Sequence, residues 1–153
     1  MTPEVTLNLP VAKARKTYQI ARYLPAGARG LLGFLFCLSG LNGFLNFLPQ
    51  PSTPLAEGAQ AFTGALMATG YMFPLIMATQ LMVGVLLLSN RFVPLALTLL
   101  APFMVNSIAF HTFLEPTGRP MALIVVAMQV YLVWSYRAWY RTVLTMRALP
   151  QQA

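Results

Sequence analysis

The side chains able to do chemistry inside the long apolar runs of this sequence are Asn42, Asn46, Gln80, Asn106, His111 and Gln129. Five of these six are primary amides. They donate and accept hydrogen bonds but neither titrate nor act as nucleophiles. An unpaired amide costs several kcal/mol in hydrocarbon, so each must meet another helix or a ligand. His111 is the only histidine, Cys37 the only cysteine, and the carboxylates are limited to Glu4, Glu57 and Glu115, with no aspartate. No intrachain disulfide, bis-histidine haem or multi-ligand metal site can be assembled from that inventory. Catalytic residues, metal ligands and metal ions are therefore expected to be absent. His111 could handle a proton at the end of its run with Glu115 nearby; the alternative is a hydrated interfacial histidine.

The elements that position these groups are apolar and long. Of 153 residues, 58% are hydrophobic and only 8% charged, against about 25% charge in an average globular chain. Mean hydropathy is +0.65. The net charge of +7 comes from basic residues placed at the ends of apolar runs rather than in one patch. Nucleic acid is accordingly set aside as a partner, and the lipid bilayer is expected instead.

The first span reads from Leu31 to Leu48, bracketed by Arg29 and Pro49. Ser39, Asn42, Gly43 and Asn46 recur at spacings of three and four, which puts them on one stripe that must face other helices. Gly33, Cys37 and Gly40 form a small-residue seam suited to close helix contact. Prolines 49, 51 and 54 predict an extended loop, followed by a short surface helix over 60–69 and a bend at Gly70. The second span is expected at 71–88, with Pro74 in its first turn and Gln80 near its middle. After the turn Ser89-Asn90-Arg91 comes the third, 92–111, interrupted by Pro102. The fourth, 121–136, carries Gln129 and ends in the interfacial run Trp134, Tyr136, Arg137, Trp139, Tyr140, Arg141. Residues 1–28 read as an uncleaved basic leader, 29–141 as the membrane domain, and 142–153 as a tail.

The expected fold is all-α, an integral membrane four-helix bundle in up-down-up-down order. With four spans, Lys13, Arg15, Lys16, Arg22, Arg29, Arg91, Arg137, Arg141 and Arg147 fall on one side and Arg119 alone on the other. The positive-inside rule then places both termini in the cytoplasm.

Four stretches, in this order, are similar to DoxX-like membrane proteins. They are Gly40-Leu41-Asn42-Gly43-Phe44-Leu45-Asn46-Phe47, Ala65 to Tyr71, Leu87 to Leu97, and Ala101-Pro102 through Phe110-His111. The resemblance covers most of the chain from Arg29 to Arg141 and implies a four-helix membrane bundle. It also implies a setting like that of the small subunit, associated with quinone-linked thiosulfate oxidation, that names the family; some relatives are thought to assist other membrane proteins. Relatives tend to carry a glutamate in the second span where this chain has Gln80, which cannot titrate.

The expected function is that of a small, non-enzymatic accessory or assembly subunit in a bacterial-type inner membrane. The alternative is a quinone-binding subunit of a membrane redox complex, and a small-solute transporter ranks behind both, for want of a charged group inside a span. Depth along the spans brings Asn42, Asn46, Gln80, Asn106, His111 and Gln129 toward one polar cluster, expected to hold a neutral polar group beneath the loop 49–70. The competing use of the same amides is interhelical bonding, at roughly 0.6–2 kcal/mol per pair. Under the ligand reading, Asn46→Leu and Gln80→Leu should each remove the ligand and leave the protein folded.

Overall fold

The computed structural model describes residues 9–49 and 54–141, with side chains from Tyr23 onward. Residues 1–8, 50–53 and 142–153, which include parts of the expected leader and loop and all of the expected tail, lie outside the described residues. Those described form helices and no strand: α1 (Leu9–Leu45), α2 (Glu57–Ala68), α3 (Met72–Leu88), α4 (Val93–Phe113), α5 (Arg119–Ser135) and the single turn α6 (Arg137–Tyr140). Three segments are long and apolar enough to cross a membrane: Tyr23–Leu45, Val93–Phe113 and Pro116–Ser135. A fourth is added if α2 and α3, which meet at 92°, count as one broken span.

The helix boundaries follow from local chemistry. α1 stops at Leu45, three residues before the expected end of the first span, because Asn46 adopts φ 49°. Asparagine tolerates this left-handed conformation better than other residues with a Cβ. Asn42 completes the stop: its carbonyl accepts Asn46 N–H at 2.8 Å, and its Oδ1 accepts Leu48 N–H at 2.7 Å. Toward its start α1 continues unbroken past Pro25 to Leu9. Gly70, at φ +75°, makes the bend between α2 and α3. Proline occupies the first turn of α3, α4 and α5, where no intrahelical N–H is needed.

α1 packs on α3 and α5, and α4 packs on the same two helices from the other side. The α1–α3 seam is the tightest, because glycines remove the side chains between the backbones. A Cβ on Gly40 would lie 2.5 Å from Leu81 N and 2.7 Å from Met77 O, and one on Gly84 would lie 2.7 Å from Cys37 Cα. The core between the four helices is Leu32 and Phe36 of α1, Val83 and Leu87 of α3, Ala96, Leu97, Leu100 and Met104 of α4, and Leu132 of α5. Phe36 meets Phe103 edge to face at 5.6 Å. Outward positions are as apolar as inward ones: Phe34, Val105, Ile124 and Val130 are all exposed. Helices apolar all round suit a hydrocarbon surrounding.

Arg29, counted above only as a topology signal, also has a local task. Its guanidinium NH1 donates to Leu87 O at 2.8 Å, in the last turn of α3. A cation there offsets the partial negative charge of the helix end.

Candidate functional site

α2 lies across the bundle and covers a cavity of about 320 Å³ between α3 and α4. Phe62 and Leu66 of α2 form its cover, Leu75, Ile76, Thr79 and Gln80 of α3 one wall, and Leu99, Leu100, Phe103 and Asn106 of α4 the other. Pro102 of α4 lines it too. A proline there cannot donate to the carbonyl of Thr98, which is how such residues bend a helix and open space beside it.

Gln80 is the buried polar group of this cavity, only 4% exposed. Its Oε1 accepts the Ser39 hydroxyl at 2.8 Å across the α1–α3 seam. That bond holds the amide plane, and Nε2 meets no acceptor among the described residues. Asn106 likewise has no side-chain partner among them. Thr79 is satisfied locally, donating to Leu75 O at 2.8 Å. The site thus offers two primary amides, Gln80 buried and Asn106 exposed, in a mostly apolar groove open on one side. Such a place suits an apolar molecule with a hydrogen-bond-accepting head, and lacks a group able to transfer a proton.

The six residues singled out in the sequence do not form one cluster. Gln80 and Asn106 share the cavity under α2. Asn42 and Asn46 line a separate one of about 460 Å³ with Ser39, Gly43, Met67, Phe73 and Met77, and both serve the α1 terminus. The hydroxyl of Ser39 is the link between the two. Gln129 is turned away: its Nε2 donates to Leu97 O at 2.9 Å, which ties α5 to α4. Its Oε1 is buried without a partner among the described residues.

His111 braces a turn instead of lining the cavity. Its Nδ1 lies 3.0 Å from Glu115 O, and its ring stands edge-on to Phe110 at 5.1 Å. Gly118 packs against that ring so closely that no Cβ fits. The separation from Asn106 is what helix geometry demands, since five residues turn the helix by about 140° beyond a full revolution.

No family model, curated protein or solved structure matches the chain. The likeness to DoxX-like proteins therefore rests on the sequence stretches alone, and the site must be argued from its own chemistry.

That chemistry includes a latch invisible in the sequence. Glu115, 8% exposed, accepts Ala56 N–H at 2.8 Å with Oε2, while the Thr117 hydroxyl donates to Oε1. Ala56 is the residue on which α2 starts, so the carboxylate fastens the cover at its positive end. Phe62 on Phe110, 5.7 Å apart, and Gly58 against Leu114 continue the contact. The Thr117 hydroxyl and then the Ala56 N–H hold the Glu115 carboxyl below its ordinary value of 4.5, because both bonds favour the charged form.

A group lowered on folding adds stability above its unfolded value and loses it as pH falls through the lowered one. Protection of the amides over 57–68 against hydrogen exchange, taken relative to the intrinsic rate at each pH, should thus fall below pH 4.5, and in Glu115→Gln it should already be lower at pH 7 and flatter with pH. Unchanged exchange in Glu115→Gln at neutral pH would show that the carboxylate does not hold α2.

Proposed function

We propose that this chain is a small DoxX-like membrane protein acting as a non-enzymatic accessory or assembly subunit, and that it holds a neutral, carbonyl-bearing amphiphile beneath α2. The observation that carries the reading is Gln80, nine-tenths buried, with one end of its amide fixed by Ser39 and the other unpartnered at an apolar cavity. A ligand carbonyl would give this donor a hydrogen bond worth roughly 0.5–1.5 kcal/mol. In this reading α1, α3, α4 and α5 cross a bacterial-type inner membrane up-down-up-down, α2 lies along the outer surface, and both termini are cytoplasmic.

Gentle extraction followed by mass spectrometry of everything bound is the test. A stoichiometric neutral lipid or isoprenoid, with or without a partner protein, supports the reading; a chain carrying only exchangeable phospholipid refutes the ligand half of it. A second reading, a quinone-binding subunit of a redox complex, is favoured by the same amide. The residues fit that group: Gln80 and Asn106 would hold its carbonyl oxygens, and the quinone would supply two-electron redox chemistry. Recovery of quinone from the extracted protein would select this reading over the first.

Topology can be checked separately in a Cys37→Ala background. Single cysteines at Gln60 or Thr112, both exposed, should react with an impermeant thiol reagent from outside the cell. Cysteines at Ser89 or Ala138, also exposed, should react only after the membrane is opened. Outside labelling at Ser89 would overturn four spans with internal termini.

A further inference from the structure

A second cavity lies at the far end of the molecule, about 460 Å³ in volume and lined by Asn90, Phe92, Val93, Pro94, Tyr136 and Trp139. Its floor is packed: Val93 is 3% exposed, and the Tyr140 hydroxyl donates to Pro94 O at 2.8 Å, tying α6 to the first turn of α4. Its jaws are exposed aromatics, Phe92 at 70% and Trp139 at 71%. Phe92 is held at φ 51°, and Asn90 two residues earlier at φ 57°. A left-handed conformation is ordinary for asparagine but strained for phenylalanine. Such strain persists where the surroundings need the side chain in that place.

The electrostatics around this groove are one-sided. Arg91 adjoins Phe92, while Arg137 and Arg141 flank Trp139, and all three are exposed. Arg137 also lies over the Trp134 ring at 4.8 Å. Both described carboxylates, Glu57 and Glu115, sit with α2 and the end of α4, a full length of α4 away. Among the described residues no salt bridge neutralises the three guanidiniums. A largely apolar slot between exposed aromatic side chains, with Arg91 and Arg137 next in sequence to its lining residues and Arg141 two residues beyond Trp139, matches a molecule with acyl chains below a negative head.

We propose that the groove between the α3–α4 turn and α6 binds an anionic phospholipid, with its acyl chain in the slot of Phe92 and Trp139 and its phosphate among Arg91, Arg137 and Arg141. The site is independent of the cavity under α2. Charge complementarity commits it to a lipid of the surrounding leaflet: a zwitterionic lipid would bring an ammonium group into the same cluster of cations.

The chain reports on this groove by itself, because its two tryptophans, Trp134 and Trp139, both lie at this end. The full chain with Trp134→Phe, reconstituted in phosphatidylcholine vesicles, leaves Trp139 as the single emitter. A minor fraction of brominated phosphatidylglycerol should quench it far more than the same fraction of brominated phosphatidylcholine. Arg91→Gln and Arg141→Gln should each weaken the preference about five-fold, as removal of one cation near an anionic surface implies. Phe92→Ala, which removes the ring but keeps the Cβ and so the same backbone demand, should reduce quenching by both lipids. Equal quenching by the two lipids in the parent overturns the proposal. So does a phosphatidylglycerol preference that survives all three substitutions, or quenching abolished by a second copy of the chain in its place. Circular dichroism of each variant distinguishes a lost site from a lost fold; if the arginine variants unfold, the parent's preference for one lipid over the other still decides.

Discussion

Gly84→Leu should abolish the folded chain. A Cβ at this position meets backbone and Cβ atoms of Cys37, and one at Gly40 meets backbone atoms of Leu81 and Met77. Backbone cannot swing aside as a long side chain can, so α1 and α3 must separate. Even an added methyl in a filled contact costs typically 1–3 kcal/mol, and leucine brings three carbons more. Separation also breaks the Ser39–Gln80 and Arg29–Leu87 hydrogen bonds, which cross the same seam. Against a total stability of roughly 5–15 kcal/mol that is a large share. Gly64→Ala is the matched control. Nothing lies within 4 Å of its added Cβ, and alanine favours a helix by up to ~1 kcal/mol. In detergent, Gly84→Leu should lose the monodisperse peak and the cooperative melt, while Gly64→Ala keeps both or melts slightly higher. A Gly84→Leu protein as stable as its parent would mean the two backbones are not in contact.

Gln80→Leu should empty the cavity under α2 without unfolding the protein. Leucine is near in size to glutamine and removes a polar group from apolar surroundings, so the packing survives. Ser39 loses its acceptor but is itself exposed and can turn back to its own helix. The ligand loses the Nε2 donor, and a neutral hydrogen bond of about 1–1.5 kcal/mol corresponds to roughly ten-fold in affinity. Ser39→Ala keeps the donor and frees the amide plane, so it should weaken binding less than Gln80→Leu. The reading is checked by the amount of bound neutral amphiphile per protein in the three chains. If Gln80→Leu retains the full amount, the amide does not touch the ligand.

The structure removes the symmetry expected between Asn46 and Gln80. Asn46 sits at φ 49° as the stop of α1, where leucine would cost roughly 1–2 kcal/mol. Asn46→Leu should therefore fray the end of α1 and lower the melting temperature, with the cavity under α2 little changed.

How much could be read from the chain depends on the range of the force involved. The apolar helices are legible because transfer from water acts on each run separately. Expected spans at 71–88 and 92–111 differ from α3 and α4 by no more than two residues at either end. The short helix after the prolines and the bend at Gly70 follow from local backbone rules as well, and α2 and its 92° turn agree. The C-terminal stop at Asn46 was within reach too: an asparagine four residues after another, shortly before a proline, is a helix-ending pattern.

Which amides meet was not legible, because depth along a span says nothing of rotation about its axis. Asn106 and Gln129 both lie well inside their helices, yet one lines a cavity and the other grips Leu97 O. The latch is the extreme case. Glu115 and Ala56 are 59 residues apart, and neither neighbourhood carries a pattern that names the other. That pair is decided only when α2 folds back over α4 and brings the Ala56 N–H to the buried Glu115 carboxylate, which takes whichever donors the packing sets within reach.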